Sequence, residues 1–195
     1  MFEDRQKKMY AKLKNGRVEV YGGKDENGEK IIRHHDRIVA EVTEIKEREF
    51  EYNGEKMQSW VIGLVSGEDH AELTLGYSSN FTRGFFNSLL AADFTKPISI
   101  SCYVKEWEGK QYNTPSLWQN NEMLKWVKEE MPKTERVKVG SKEVIDDAKA
   151  VEWTIKLVEE INTKIQNQRP AKEKDADPLE SMEDSLDDSL EDLPF

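Results

Sequence analysis

The stretch Ile98–Trp107 reads ISISCYVKEW and sorts by parity into two chemically different faces. In a strand, alternate side chains point to opposite sides. Ile98, Ile100, Cys102 and Val104 then form an apolar face, and Ser99, Ser101, Tyr103, Lys105 and Trp107 form the other. A core strand has no packing need for Tyr, Lys and Trp together on its outer side. Two flat rings flanking a cation suit an unpaired nucleic-acid strand, whose bases stack on aromatic faces and whose phosphates attract cations. The next run adds Tyr112 and Trp118, which share one parity. Cations concentrate nearer the N-terminus, where residues 5–37 hold ten Lys or Arg against five acids. Lys12, Lys14, Arg17 and Tyr21 fall in a predicted hairpin; Lys24, Lys30, Arg33, His34, His35 and Arg37 follow it. Arg83, near the start of a predicted helix, offers one more phosphate contact. A single surface cation is ordinarily just solvated, so the expectation rests on the cluster. The candidate contacts to single-stranded DNA are Lys14, Arg17, Tyr21, Arg33, Arg37, Arg83, Tyr103, Lys105, Trp107, Tyr112 and Trp118.

A second constellation lies at the other end of the chain. Nine acids and no bases occur from Asp175 to Phe195, and the segment closes on Leu193-Pro194-Phe195. Such a segment has too little apolar surface to fold alone and is expected to be disordered. An acidic tether with an apolar tip and a terminal carboxylate suits a partner pocket rimmed by Arg or Lys. The expected partner-binding residues are Asp187, Asp188, Glu191, Asp192, Leu193, Pro194 and Phe195. The net charge of −10 divides accordingly: residues 1–174 carry 29 bases and 30 acids, and the tail carries the other nine negative charges. The tail is expected to compete with weakly bound DNA for the basic surface, so its deletion should tighten binding at low salt.

No enzyme site is expected. His34 and His35 are adjacent, so in a strand they face opposite sides and make no ligand pair. Asp146 and Asp147 read as solvated acids. Cys102 is the only cysteine, which excludes an internal disulfide or a cysteine-based zinc cluster, and its parity makes it a small core residue. No cofactor or metal is expected. The polar start, Met1 to Lys8, does not resemble a signal peptide, and no apolar run has the length of a membrane span. A cytoplasmic protein is expected.

Several elements must position these residues. Asn15-Gly16 and Asn53-Gly54 favour tight hairpin turns, joining Met9–Leu13 to Arg17–Tyr21 and Arg37–Tyr52 to Met57–Val65. Asn27-Gly28 sits in a polar stretch, Gly22 to Lys30, read as a loop. Ala71–Tyr77 alternates as a strand, and Glu108-Gly109 joins Ile98–Trp107 to Gln111–Trp118. One helix interrupts the strands, capped by Ser79 or Asn80, with Phe81, Phe85, Phe86, Leu89 and Leu90 on its apolar stripe. Trp60 reads as core with these phenylalanines. The order strand, strand, strand, helix, strand, strand predicts a mainly β protein built on a five-stranded OB-fold barrel, with the helix between strands three and four.

Two further helices are predicted. Asn120 or Asn121 caps a short one ending at Pro132. Ser141 caps a long one running to about Gln168, with Trp126 and Trp153 covering helix contacts. Val144, Ala148, Val151, Ile155, Val158, Asn162 and Ile165 recur along it at heptad-like spacing. That seam either packs on the chain's own barrel or forms a homodimer. The expected organisation is a basic hairpin extension (1–36), the barrel (37–119), C-terminal helices (120–168), and a linker with the acidic tail (169–195).

Taken together, the barrel order, the aromatic and basic face, and the tail ending in Leu193-Pro194-Phe195 resemble a phage-type single-stranded DNA-binding protein. The resemblance covers roughly residues 5–118 in architecture and 175–195 in motif. The basic hairpin and the long helix depart from the bacterial form, and the zinc-binding cysteines of one phage class are missing. The resemblance implies coating and protection of exposed DNA strands in replication, recombination or repair. It also implies recruitment of polymerase, primase or helicase through the tip. Two other readings are an OB-like adaptor that binds only proteins and an RNA-binding barrel.

Overall fold

The computed structural model describes residues 9–139 and 142–169. The acidic segment, with Asp187, Asp188, Glu191, Asp192, Leu193, Pro194 and Phe195, lies outside the described residues, as does Ser141. The fold is mainly β. Its elements are β1 (Met9–Lys14), β2 (Arg17–Lys24), β3 (Lys30–His35), β4 (Ile38–Tyr52), β5 (Glu55–Ser66), β6 (Asp69–Gly76), α1 (Asn80–Leu89), β7 (Ile98–Trp107), β8 (Lys110–Gln119), β9 (Glu122–Met123), β10 (Glu135–Val139), β11 (Lys142–Asp146) and α2 (Ala148–Gln168). No helix among the described residues is long and apolar enough to cross a membrane.

Nine strands form one mixed sheet in the order β3-β2-β1-β6-β5-β4-β7-β8-β9. Neighbours are antiparallel except β1 and β6, which run parallel with Ala11 beside Leu73. From 38 to 119 the elements occur in the expected order, three strands, a helix and two strands. The N-terminal extension is not separate, since β1, β2 and β3 continue the same sheet. It also has three strands rather than two. Of the stretch expected as a loop, residues 25–29 form the turn between β2 and β3, and Gly22 to Lys24 continue β2. Asp25 Oδ1 accepts from the backbone N–H of Asn27 (2.9 Å) and Glu29 (2.8 Å) and closes that turn.

The tight hairpins form as the residue types dictate. Asn15 and Gly16 have φ of 52° and 73°, Asn53 and Gly54 52° and 79°, and Glu108 and Gly109 50° and 70°. Two successive positive values match the right-handed twist of the flanking strands. In β4, Thr43 is an extra residue between two that pair with consecutive β5 positions, Val42 with Leu64 and Glu44 with Gly63. This bulge lets both Val42 and Ile45 face the core. A Cβ at position 63 would stand 2.5 Å from Thr43 Oγ1, which explains the glycine there.

The core gathers Val42, Trp60, Ile62 and Leu73 of the sheet with Phe85, Phe86 and Leu89 of α1 and Leu157 and Ile161 of α2. Burying one such large side chain stabilises the fold by about 1.5–3 kcal/mol. Trp60 stacks on Tyr77 (centroids 5.2 Å apart) and meets Phe86 edge-on, and its Nε1 donates to Tyr77 O at 3.0 Å. Ser79 caps α1, its Oγ accepting from Thr82 N at 3.1 Å.

Beyond residue 119 the expected helices need correction. No helix spans 120–132. Asn120 and Asn121 both take left-handed φ (53° and 65°) and turn the chain into β9. The following segment is irregular; Lys128 pairs with Glu160 of α2, and Asn87 makes three side-chain hydrogen bonds to its backbone. Asn87 of α1 accepts at Oδ1 from Val127 N (3.0 Å) and Lys128 N (2.8 Å), and its Nδ2 donates to Lys128 O (2.9 Å). Trp126 remains 55% exposed, although its ring edge lies over Gly84 of α1. The long helix starts at Ala148, because 135–146 form the β10–β11 hairpin. Val144 therefore belongs to a strand and not to the helical seam.

The buried stripe of α2 is Ala150, Thr154, Leu157, Val158, Ile161 and Ile165. Asn162, the polar member of the expected seam, serves the chain itself. Its Oδ1 accepts from Ile45 N (3.0 Å) and its Nδ2 donates to Ile45 O (2.9 Å). Much of the seam thus packs on β4 and α1 of the same chain.

Candidate nucleic-acid interface

The β7–β8 ladder places five of the expected residues on one surface. Directly opposed pairs are Ser99 with Trp118, Ser101 with Ser116, Tyr103 with Thr114, Lys105 with Tyr112, and Trp107 with Lys110. Opposed residues in an antiparallel pair project to the same side. The parity is confirmed on the other face, where Ile98, Ile100, Cys102 and Leu117 are buried. Tyr103, Trp107, Tyr112 and Trp118 are all exposed, Trp107 at 60% and Tyr103 at 49%. From Tyr103 to Trp107 the strand advances by about 13 Å.

The charges on this surface are free to act. Lys105 Nζ lies 5.8 Å from the centre of the Trp107 ring, a cation held over a π face. Lys105, Lys110 and Arg37 make no ion pair with any described residue. Trp118 Nε1 donates to Ser116 Oγ at 2.8 Å, which orients the indole without covering it. Beside Trp118 a shallow groove of about 600 Å³ runs between Arg37, Val39, Lys96 and Ser101. Its walls come from β4, the α1–β7 connection and β7.

The basic hairpin reaches this arm at its turn. Gly16 N donates to Asn113 Oδ1 at 3.2 Å, and Cys102 Sγ donates to Arg17 O at 3.4 Å. A Cβ at position 16 would meet Val104 at 3.3 Å, so close approach and positive φ both call for glycine. Lys14 and Arg17, which pair across this turn and are exposed, therefore stand at the margin of the β7–β8 arm. No ladder joins β8 to the β6 edge; β1 takes the place beside β6, and the hairpin turn touches β7–β8 instead. The Cys102 thiol is pushed up in pKa by burial, which suits a packing role.

Three expected residues, Arg83, Tyr21 and Arg33, fall elsewhere, and Arg37 reaches both the groove beside Trp118 and a second pocket. Arg83 is a correction: it is 1% exposed and so is not presented to a strand on the surface. Its Nη1 donates to Ser78 O at 2.8 Å and its Nη2 to Asn80 Oδ1. Burial lowers its pKa, and the negative charge of Asp147 opposes that shift. Arg83 ties the β6–α1 connection to the helix. Tyr21 faces away from the arm and pairs with Tyr10, ring centres 6.5 Å apart. Arg33 and Arg37 border a pocket at one end of the sheet.

A second aromatic and basic surface joins Lys12, Tyr21 and Lys30, named from the sequence, to Tyr10 and to residues of β4 and β5 that were not. Tyr10, Tyr21, Lys12 and Lys30 line a groove that meets a neighbouring one at Lys12 and Thr74. The neighbour is lined by Phe50, Lys56 and Met57, and Phe50 pairs directly with Met57 near the β4–β5 turn. A signal was present in the segment EREFEY, where Arg48, Phe50 and Tyr52 alternate with Glu47, Glu49 and Glu51. Arg48 donates to Glu72 Oε2 at 2.6 Å, which fixes this parity as the outer face of the sheet.

Comparison with known protein families, with curated proteins and with solved structures returns no match to this chain.

Proposed function

We propose that the protein binds single-stranded DNA on the outer face of β7–β8, and that it coats and protects exposed strands during replication, recombination or repair. The observation that carries this reading is the shared face of Tyr103, Lys105, Trp107, Tyr112 and Trp118, exposed together and without an internal partner that needs all of them. Stacking contributes about 1–3 kcal/mol per base, so two or three rings with a few phosphate contacts give useful, salt-sensitive affinity. The β4-to-β8 unit with its intervening α1 is read as an OB-type barrel, with β1 standing on the edge of β6 where the barrel would close. In such barrels the second and third strands and the loops after the first and fourth contact nucleic acid. Those correspond here to the β5–β6 groove and to the two hairpin tips, near Phe50 and Trp107. The acidic segment 175–195 is proposed to recruit partner enzymes through Leu193-Pro194-Phe195, and to shield the basic surface when DNA is absent.

Tryptophan fluorescence tests the reading. Trp107 and Trp118 are exposed on the proposed surface, whereas Trp60 is buried. Addition of oligo-dT should quench emission, and rising salt should weaken the effect. Absence of both quenching and a mobility shift at low salt would remove the proposal.

A further inference from the structure

The two ends of the curled sheet differ. At the end where β6 finishes, α1 fills the interior with Phe85, Phe86 and Leu89. At the opposite end, where β1, β4 and β6 begin, no described element fills it. A pocket of about 340 Å³ remains, within the size range of small-molecule sites. Its floor and walls are apolar, with Val20, Ala40, Leu64 and Ala71. Its rim carries two guanidinium groups, Arg33 and Arg37, with His35 beside them and Asp69 the one acid. Arg33 and His35 point to this side because they pair with Val20 and Val18, whose parity is inward. Neither Arg33 nor Arg37 makes an ion pair with a described residue.

We propose that this open end is a nucleoside-phosphate site, taking the base on the apolar floor and the phosphate on Arg33 and Arg37. A guanidinium presents paired donors to phosphate oxygens. A bare phosphate would leave the floor empty, and an apolar ligand without charge would leave the rim unused. Ser66 and Asp69, also at the pocket, can hydrogen-bond the edge of a base. Arg37 lines both this pocket and the groove beside Trp118, so the two sites adjoin. The choice of a nucleoside over another flat anion rests on the single-strand reading.

The test is amide chemical-shift mapping on the full chain with dTMP, thymidine and inorganic phosphate, each titrated alone. Saturable shifts from dTMP at Val20, Ala40, Leu64 and Ala71 are expected, with thymidine and phosphate at least about fivefold weaker, the loss of one charge-assisted contact or of base burial. Arg33→Ala should weaken dTMP by a similar factor; Arg33 is exposed on an edge strand, and His35→Ala serves as a second variant. Displacement of dTMP by oligo-dT would assign the site to a nucleotide of the bound strand, and persistence of dTMP binding would assign it to a free nucleotide. Both outcomes uphold the site. Absence of saturable dTMP shifts, shifts outside the pocket, or phosphate binding as well as dTMP would overturn it. Failed quenching by oligo-dT alongside dTMP binding would sink the single-strand reading and leave this pocket standing.

Discussion

Arg83 and Lys105 both sit among aromatic residues, yet they do opposite work. Arg83 follows Phe81 in a helix that turns its rings inward, and its guanidinium is taken up by Ser78 O and the Asn80 side chain. Lys105 stands between Tyr103 and Trp107 on the half of β7 that runs beyond the core, where Val104 and Glu106 on the other face are exposed as well, and only a π face holds it. The difference teaches that a cation near rings is a binding group only where packing has no use for it. On β7–β8, Ile98, Ile100, Cys102 and Leu117 serve the core and residues 103–107 run beyond it, so the outer rings are surplus to folding. On α1, the rings are the core, and the cation anchors the helix start.

Mutations can break that comparison. The largest expected effect is on binding. Replacing Tyr103 and Trp107 together by Ala removes two stacking platforms, about 2–6 kcal/mol if each contributes as single bases do, or a loss of about thirtyfold to about twenty-thousandfold in DNA affinity. Stability should change by no more than about 0.5 kcal/mol, as for exposed positions. Titration and thermal melting of the same sample check both halves. Arg83→Ala should do the reverse. It leaves Ser78 O and Asn80 without their donor and opens space in a buried site, at a cost of about 2–4 kcal/mol in urea unfolding. DNA affinity of the folded fraction should be unchanged.

Smaller effects sharpen the picture. Asn162→Ala strips both backbone groups of Ile45 of their partner and should destabilise by about 1–3 kcal/mol. Sedimentation of the wild-type chain addresses the seam: a monomer fits the observed packing of α2 on its own sheet, and a dimer would require the faces left half-buried at Val151 and Ile155. The smallest effect concerns acid. Hydrogen bonds from Thr95, side chain and backbone, lower the pKa of Asp93. A carboxylate whose folded pKa lies below its unfolded value stabilises the fold above the unfolded value and loses that contribution as pH falls through the folded one. Asp93→Asn should therefore flatten the acid limb of a stability profile slightly, by lowering stability at neutral pH toward its value in acid.

Local chemistry made part of this legible. The paired turn residues at 15–16, 53–54 and 108–109 have their expected left-handed backbone, and parity separates the rings from Ile98, Ile100 and Cys102 of the core, although Val104, expected with them, is exposed beyond the core's edge. These features depend on neighbours in sequence. The segment after 119 depends on distant ones. Asn87, some forty residues away, holds 127–128 in an irregular path that competes with helix formation there. Val137, Val139 and Val144 alternate as a hairpin, but Val144 also fits a helical spacing, and the long helix absorbed it in the sequence reading. The burial of Arg83 needs Ser78 and Asn80 to turn toward it, which no spacing rule reveals. The parallel pairing of β1 with β6 joins strands sixty residues apart and leaves no local mark.

The account stands or falls on which surface touches the strand. Photocrosslinking of 4-thiothymidine oligonucleotides, followed by peptide mapping, reads that directly. Adducts at Tyr103, Trp107, Tyr112 or Trp118 are predicted. Adducts confined to β10–β11 or α2, with the β7–β8 face unmodified under saturating strand, would contradict it.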